Sequence, residues 1–178
     1  MTRKLFCLIL TGCIVFLLGC SKKDVEVVDA EFAKNIYVST GQPIVMEGIT
    51  TEVGIGKSGI WCSFKEHDIV KITLDFNFNS LATTEKTGSD EYRSEIYKIL
   101  SKNAHFYNGN KELENVWGYW PEEASATNAS GMELFYVIPH GIDMTELKFE
   151  YDTSILKGTP GKFTYTNFNS MKPLVKDE

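Results

Sequence analysis

Four carboxylates and three aromatic rings crowd one short stretch of this chain. Glu112, Glu114, Glu122 and Glu123 bracket Val116-Trp117-Gly118-Tyr119-Trp120-Pro121. Paired carboxylates can serve as acid and base on a glycosidic bond, and aromatic faces stack on sugar rings. Segment 112–123 is therefore where carbohydrate binding or carbohydrate chemistry would be sought. The plainer reading sends the tryptophans into the core and leaves the acids in solvent, and the sequence favours it. If the chain binds a ligand through a named patch, Trp117, Tyr119 and Trp120 form that patch.

Other chemistry-bearing residues do not assemble. Asp75-Phe76-Asn77-Phe78-Asn79 has the opening of a calcium loop, but positions six and twelve are Ser80 and Lys86 instead of Gly and Glu. The polar face of a strand accounts for it better. His67, His105 and His140 share no metal-ligand spacing. Gly54-Ile55-Gly56-Lys57-Ser58-Gly59 has neither the nucleophile turn of a serine hydrolase nor the spacing of a phosphate loop. No catalytic residue, metal or cofactor is expected from these residues.

One cysteine carries a definite chemical expectation. Arg3 and Lys4 precede an apolar run, Leu5 to Leu18, of 14 residues. That length suits a signal peptide and falls short of a membrane span. Leu17-Leu18-Gly19-Cys20 then gives way abruptly to Ser21-Lys22-Lys23-Asp24, which resembles the bacterial lipobox. The resemblance implies that residues 1–19 are removed and that the Cys20 thiol carries a diacylglycerol through a thioether. Each buried CH₂ contributes roughly 0.8 kcal/mol, so two or three acyl chains would hold the protein to a membrane. The expected location is the extracytoplasmic face of the cell membrane. Ser21, where many enteric lipoproteins retained at the inner membrane carry aspartate, leaves the outer membrane open in a cell with two membranes.

The remaining numbers agree with an exported binding domain. Cys7 and Cys13 would leave with the leader and Cys20 would be acylated, so Cys62 alone of four cysteines stays free. No internal disulfide and no thiolate zinc cluster is then expected. The formal net charge is −6; losing Arg3 and Lys4 leaves 16 bases against 24 acids, or −8. Nucleic acid is excluded as a partner, because its binding needs clustered Lys and Arg.

What would hold these residues in place is mostly strand. Val70, Ile72, Leu74, Phe76 and Phe78 alternate with Lys71, Thr73, Asp75, Asn77 and Asn79, the pattern of a half-buried strand. Leu147–Tyr151 and Phe163–Phe168 repeat it. Met132–Ile138 is a nearly continuous apolar run ended by Pro139, as in a central strand. Asn35–Ser39 and Pro43–Val53 read as two more, and Gly54–Gly59, Asn108-Gly109-Asn110 and Gly158–Gly161 as turns. Ser89-Asp90-Glu91 can cap a short helix near 90–100, with Tyr92, Ile96, Ile99 and Leu100 at helical spacing. About seven strands result, an antiparallel β-sandwich. Residues 20–34 read as the lipidated cysteine and a flexible tether, 35–170 as the domain, and 171–178 as a tail.

The order of these segments carries a family resemblance. Val38-Ser-Thr-Gly-Gln-Pro-Ile-Val-Met-Glu-Gly-Ile is followed by the Val70–Phe78 strand ending in Asn79-Ser80. Phe106-Tyr-Asn-Gly-Asn-Lys and Leu147-Lys-Phe-Glu-Tyr-Asp-Thr come later. Over roughly Lys34–Phe168 this resembles the Ig-like domain of Gram-positive lipoproteins, a domain-of-unknown-function family similar in fold to the mycobacterial immunoprotective extracellular protein. The resemblance implies an all-β, Ig-like sandwich on a lipid anchor and brings no catalytic residues. The expected function is a non-catalytic interaction module for an envelope protein, peptide or glycan. The alternative is a carbohydrate-binding or carbohydrate-active protein using segment 112–123.

Overall fold

The computed structural model describes residues 23–39, 41–57 and 59–172; the expected leader and Cys20 lie outside them. In chain order the strands and helices are β1 (Val25–Ala33), β2 (Ile36–Val38), β3 (Thr51–Gly56), β4 (Gly59–Phe64), β5 (His67–Asn77), α1 (Asp90–Leu100), β6 (Ala104–Asn108), β7 (Lys111–Leu113), β8 (Asn115–Tyr119), β9 (Glu123–Ala124), β10 (Asn128–Pro139), β11 (Leu147–Asp152), α2 (Ser154–Lys157) and β12 (Lys162–Tyr165). The chain is mainly β and all its strand pairs are antiparallel.

The alternation in β5 decides the architecture. Val70, Ile72, Leu74 and Phe76 point to one side and are buried, joined from β10 by Met132, Leu134, Tyr136 and Ile138. These strands lie at the centre of a first sheet, ordered β1-β5-β10-β8, with β9 also on β10. A second sheet, β12-β11-β6-β7, closes over that face with Phe106, Leu147, Phe149 and Tyr151. Rings bridge the two sheets: Phe76 to Tyr151 at 5.1 Å and Phe106 to Tyr136 at 4.6 Å. Each such side chain contributes on the order of 1.5–3 kcal/mol by leaving water. This is the sandwich that the alternation predicts.

A third sheet, β2-β4-β3, takes β2 from the strand expected at Asn35–Ser39 and β3 in part from that expected at Pro43–Val53, and adds the unexpected β4. It covers the opposite face of the first sheet. Ile36, Val38, Cys62 and Phe64 meet Ile69, Phe135 and Val137 in a second, smaller core. Odd positions of β10 thus feed one core and even positions the other. That is why Met132–Ile138 is apolar but for Glu133.

Helix α1 forms where the capping residues direct. The Ser89 hydroxyl accepts the Tyr92 N–H at 3.1 Å, and Asp90 and Glu91 complement the helix N-terminus. Tyr92, Ile96 and Leu100 enter the main core, and the Tyr151 hydroxyl donates to the Leu100 carbonyl at 3.0 Å.

Two boundaries move. The stretch read as tether contains β1, which pairs with β5 from Val25 opposite Phe76 to Ala33 opposite Ile69. Its inward residues are Val25 and Val27, then Ala30 and Phe32, because the register shifts between Val27 and Asp29. A bulge at Val28 changes the parity and hides the alternation. At the other end Met171, assigned to the tail, is buried in the main core. The strand expected at Pro43–Val53 starts only at Thr51; Pro43 lacks an N–H, and Gly48 turns the chain with φ 76°.

Candidate functional site

Strand β8 carries the aromatic cluster at the edge of the first sheet, and its alternation divides the cluster. Trp117 lies opposite Phe135 and Tyr119 opposite Glu133 on β10. Both rings pack against the second core. Tyr119 meets Phe135 edge-on at 5.4 Å, and its hydroxyl donates to the Tyr37 carbonyl at 2.6 Å. The Trp117 Nε1 is buried without a hydrogen-bond partner. These two side chains tie β8 to the third sheet. Burial holds the Tyr119 phenol above its ordinary pKa.

Trp120 lies past the end of β8 and does something else. It is 43% exposed. The Arg93 guanidinium sits 5.8 Å from the ring centroid, a cation–π contact. Arg93 is itself braced, donating to the Glu122 carbonyl at 2.9 Å and to Asp90 Oδ1. Trp120 then forms one wall of an open groove of about 530 Å³, with Thr84, Asp90, Glu91, Ser94, Glu95 and Lys98 among its lining.

Within that groove Glu95 is already engaged. Its carboxylate accepts the N–H of Thr84 at 3.0 Å and that of Glu85 at 3.1 Å. Desolvation opposes its ionisation, but these N–H donors outweigh it and hold the carboxyl below its usual range. Glu95 thereby pins the loop between β5 and α1 to the helix. A glycosidase acid needs the opposite, a carboxyl kept protonated near neutral pH.

Three of the four carboxylates that bracket the aromatic cluster in sequence have separate neighbours, and Glu114 is exposed. Glu112 meets His105 Nδ1 at 2.6 Å. The Glu122 side chain lies over Gly131, where an added Cβ would come within 3.0 Å of it. Glu123 borders a different shallow groove beside Lys23, Asp75 and Asn128. The acids that share a groove with Trp120 come instead from α1 and the loop before it. Their signal was present in the spacing of Glu91, Ser94, Glu95 and Lys98, which puts all four on one helix face. What linked that face to Trp120 was invisible without the fold.

The remaining candidates take structural roles. Asp75 Oδ1 accepts the Gly131 N–H at 2.9 Å, and Asn77 Nδ2 donates to the Lys23 carbonyl at 2.8 Å. His67 Nδ1 contacts the Lys65 carbonyl at 2.8 Å, and His140 Nε2 lies 3.3 Å from Asp68. Among the described residues no group of three or more His, Cys, Asp or Glu is arranged to hold a metal ion. Cys62 is fully buried in the second core. No helix among the described residues is long and apolar enough to cross a membrane. Cys20 lies outside the described residues.

No family model, no curated protein and no solved structure matches the chain.

Proposed function

We propose that this chain is a membrane-anchored, extracytoplasmic lipoprotein whose domain is a non-catalytic binding module. Leu17-Leu18-Gly19-Cys20 supplies the anchor, and the groove beside Trp120 faces the ligand. One observation supports the binding role above all. Trp120 is an exposed ring braced from behind by Arg93 and presented at the wall of a groove. A large rigid side chain held in place while still partly wet loses little entropy when a partner covers it. The partner is an envelope protein, peptide or glycan.

A glycan is favoured by the chemistry beside the ring. Trp120 offers a stacking face, while Ser94, Thr84 and the Glu91 carboxylate offer hydrogen-bonding groups for sugar hydroxyls. Glu95 is held ionised with its oxygens engaged by the Thr84 and Glu85 N–H groups, so it does not supply the acid of a hydrolysis.

Two measurements test the proposal. Membrane fractionation and mass of Cys20→Ser against the native chain test the anchor; unchanged values for both would remove it. Capture of envelope polysaccharide and of envelope extract by the native chain and by Trp120→Ala tests the groove. Loss of capture with an unchanged thermal unfolding curve supports it. Equal capture by both removes the groove from consideration.

A further inference from the structure

The exposed apolar side chains are unevenly distributed, and β3 holds the most exposed of them. Ile55 is 92% exposed and Val53 is 49% exposed. Opposite them on β4 are Ile60 and the buried Cys62. Val53 and Ile55 therefore share the face that enters the second core, on a strand that the core does not cover.

The backbone of β3 is also open on one side. Strand order in the third sheet is β2-β4-β3, so β3 is an edge. The Lys65 N–H donates to the Thr50 carbonyl at 2.9 Å. This makes Thr50 and Lys65 a hydrogen-bonded pair, and the antiparallel ladder alternates from there. Glu52, Gly54 and Gly56 turn their N–H and C=O groups toward β4. Thr51, Val53 and Ile55 turn theirs away from it, where no described residue pairs with them.

We propose that β3 pairs antiparallel with β3 of a second copy, about a two-fold axis through Gly54, joining the two third sheets into one. The strand is complementary to itself in this register. Val53 falls opposite Ile55 of the second copy, and the reverse holds across the axis. The outward N–H and C=O groups of these residues then close reciprocal hydrogen bonds. Glu52 falls opposite Gly56 of the second copy, so no two acids face each other across the joined edges. On a chain of net charge −6, this strand and its turn carry one charge of each sign, which removes the repulsion that other surfaces would bring. A two-fold interface uses the same patch on both copies, as this one does.

The register dictates its own test. Gly54 would face Gly54 of the second copy in a non-hydrogen-bonded pair, with Cα atoms about 4.5 Å apart, inside the range that a disulfide bridges. A Cβ at Gly54 has room, its nearest neighbour being the Trp61 Cβ at 4.0 Å. Position 52 would lie four residues, roughly 13 Å, from its own counterpart. Mild oxidation of full-length Gly54→Cys, Glu52→Cys and the native chain in detergent is the experiment. The expected result is covalent dimer for Gly54→Cys, at least ~tenfold above both others, and its loss on adding Ile55→Lys. Equal cross-linking at 52 and 54, no cross-link at 54, or indifference to Ile55→Lys overturns the proposal. Should Gly54→Cys fail to fold, sedimentation equilibrium of the native chain and Ile55→Lys decides. A shift toward monomer in the variant supports the pairing, and identical mass distributions refute it.

Discussion

The Tyr97 hydroxyl occupies the space in which Gly118 would otherwise carry a side chain. An added Cβ there would collide with that hydroxyl and come within 2.7 Å of the Glu133 carbonyl. Helix α1 therefore sits against β8 because β8 has no side chain at its midpoint. The same absence divides the aromatic cluster, leaving Trp117 and Tyr119 to pack on the other face.

Gly118→Ala is expected to destabilise the domain by about 1–3 kcal/mol, because the Cβ meets fixed backbone as well as the phenol. Urea unfolding measures this. The double variant with Tyr97→Ala should not recover the loss, since the Glu133 carbonyl remains. Full recovery would show that the phenol alone sets the requirement.

Tyr136→Phe is expected to raise stability by up to about 1 kcal/mol. The Tyr136 hydroxyl is buried with no hydrogen-bond partner, and leaving a buried hydroxyl unpaired costs about 1–3 kcal/mol. Burial pushes this phenol far above its ordinary pKa. The ring itself, packed at a tilt against Phe106 at 4.6 Å, is kept in the variant. A fall in the urea midpoint would contradict the prediction.

Asp75→Ala is expected to cost roughly 1–3 kcal/mol, by removing the charged acceptor of the Gly131 N–H at 2.9 Å. Gly131 has φ 68° and lies in the bulge between Ala129 and Met132, so this bond fixes the register of β10. Calcium should leave the melting temperature of the native chain unchanged. A rise with calcium would restore a metal reading of Asp75-x-Asn77-x-Asn79.

Acid should lower the stability of the domain through carboxylates that the fold keeps ionised. Glu150 is lowered by Lys162 and Lys148, Asp143 by Thr145, and Asp152 by the Ser154 N–H. Glu95 is lowered by Thr84 and Glu85 in spite of desolvation. A carboxyl with a folded-state pKa below its unfolded value binds fewer protons when folded. Its contribution is complete above the unfolded value, near 4, and disappears as pH falls through the folded one. Stability measured from pH 6 downward should therefore be flat and then decline below about pH 4. Glu95→Gln should flatten part of that decline.

The long alternations in β5 and β11 were legible because each keeps one parity from end to end. β1 was not, because the bulge at Val28 moves the inward set from Val25 and Val27 to Ala30 and Phe32. β7 and β9 are three and two residues long, too short for any period to register. The Asp90–Leu100 helix was legible through its cap and its spacing of apolar residues. The groove was not, because Trp120 and Glu95 are 25 positions apart and meet only when Gly118 lets α1 lie against β8. Trp117 is half-buried on the face of β8 that meets the second core, whereas Trp120 lies past the end of the strand and is exposed.

Strand β5 belongs to both cores, and its partners reach it from opposite directions along the chain. Val25–Ala33 supplies one neighbour and Asn128–Pro139 the other. A chain emerging from its N-terminus can form the β1–β5 pair early, yet it leaves the other edge of β5 open until residue 139 has appeared, and the face toward the main core open until β11 follows. Such distant pairing is slow, and an open apolar edge is a template for wrong association. The interval between emergence of β5 and arrival of β10 is when this protein most needs a chaperone or a clear surface around it.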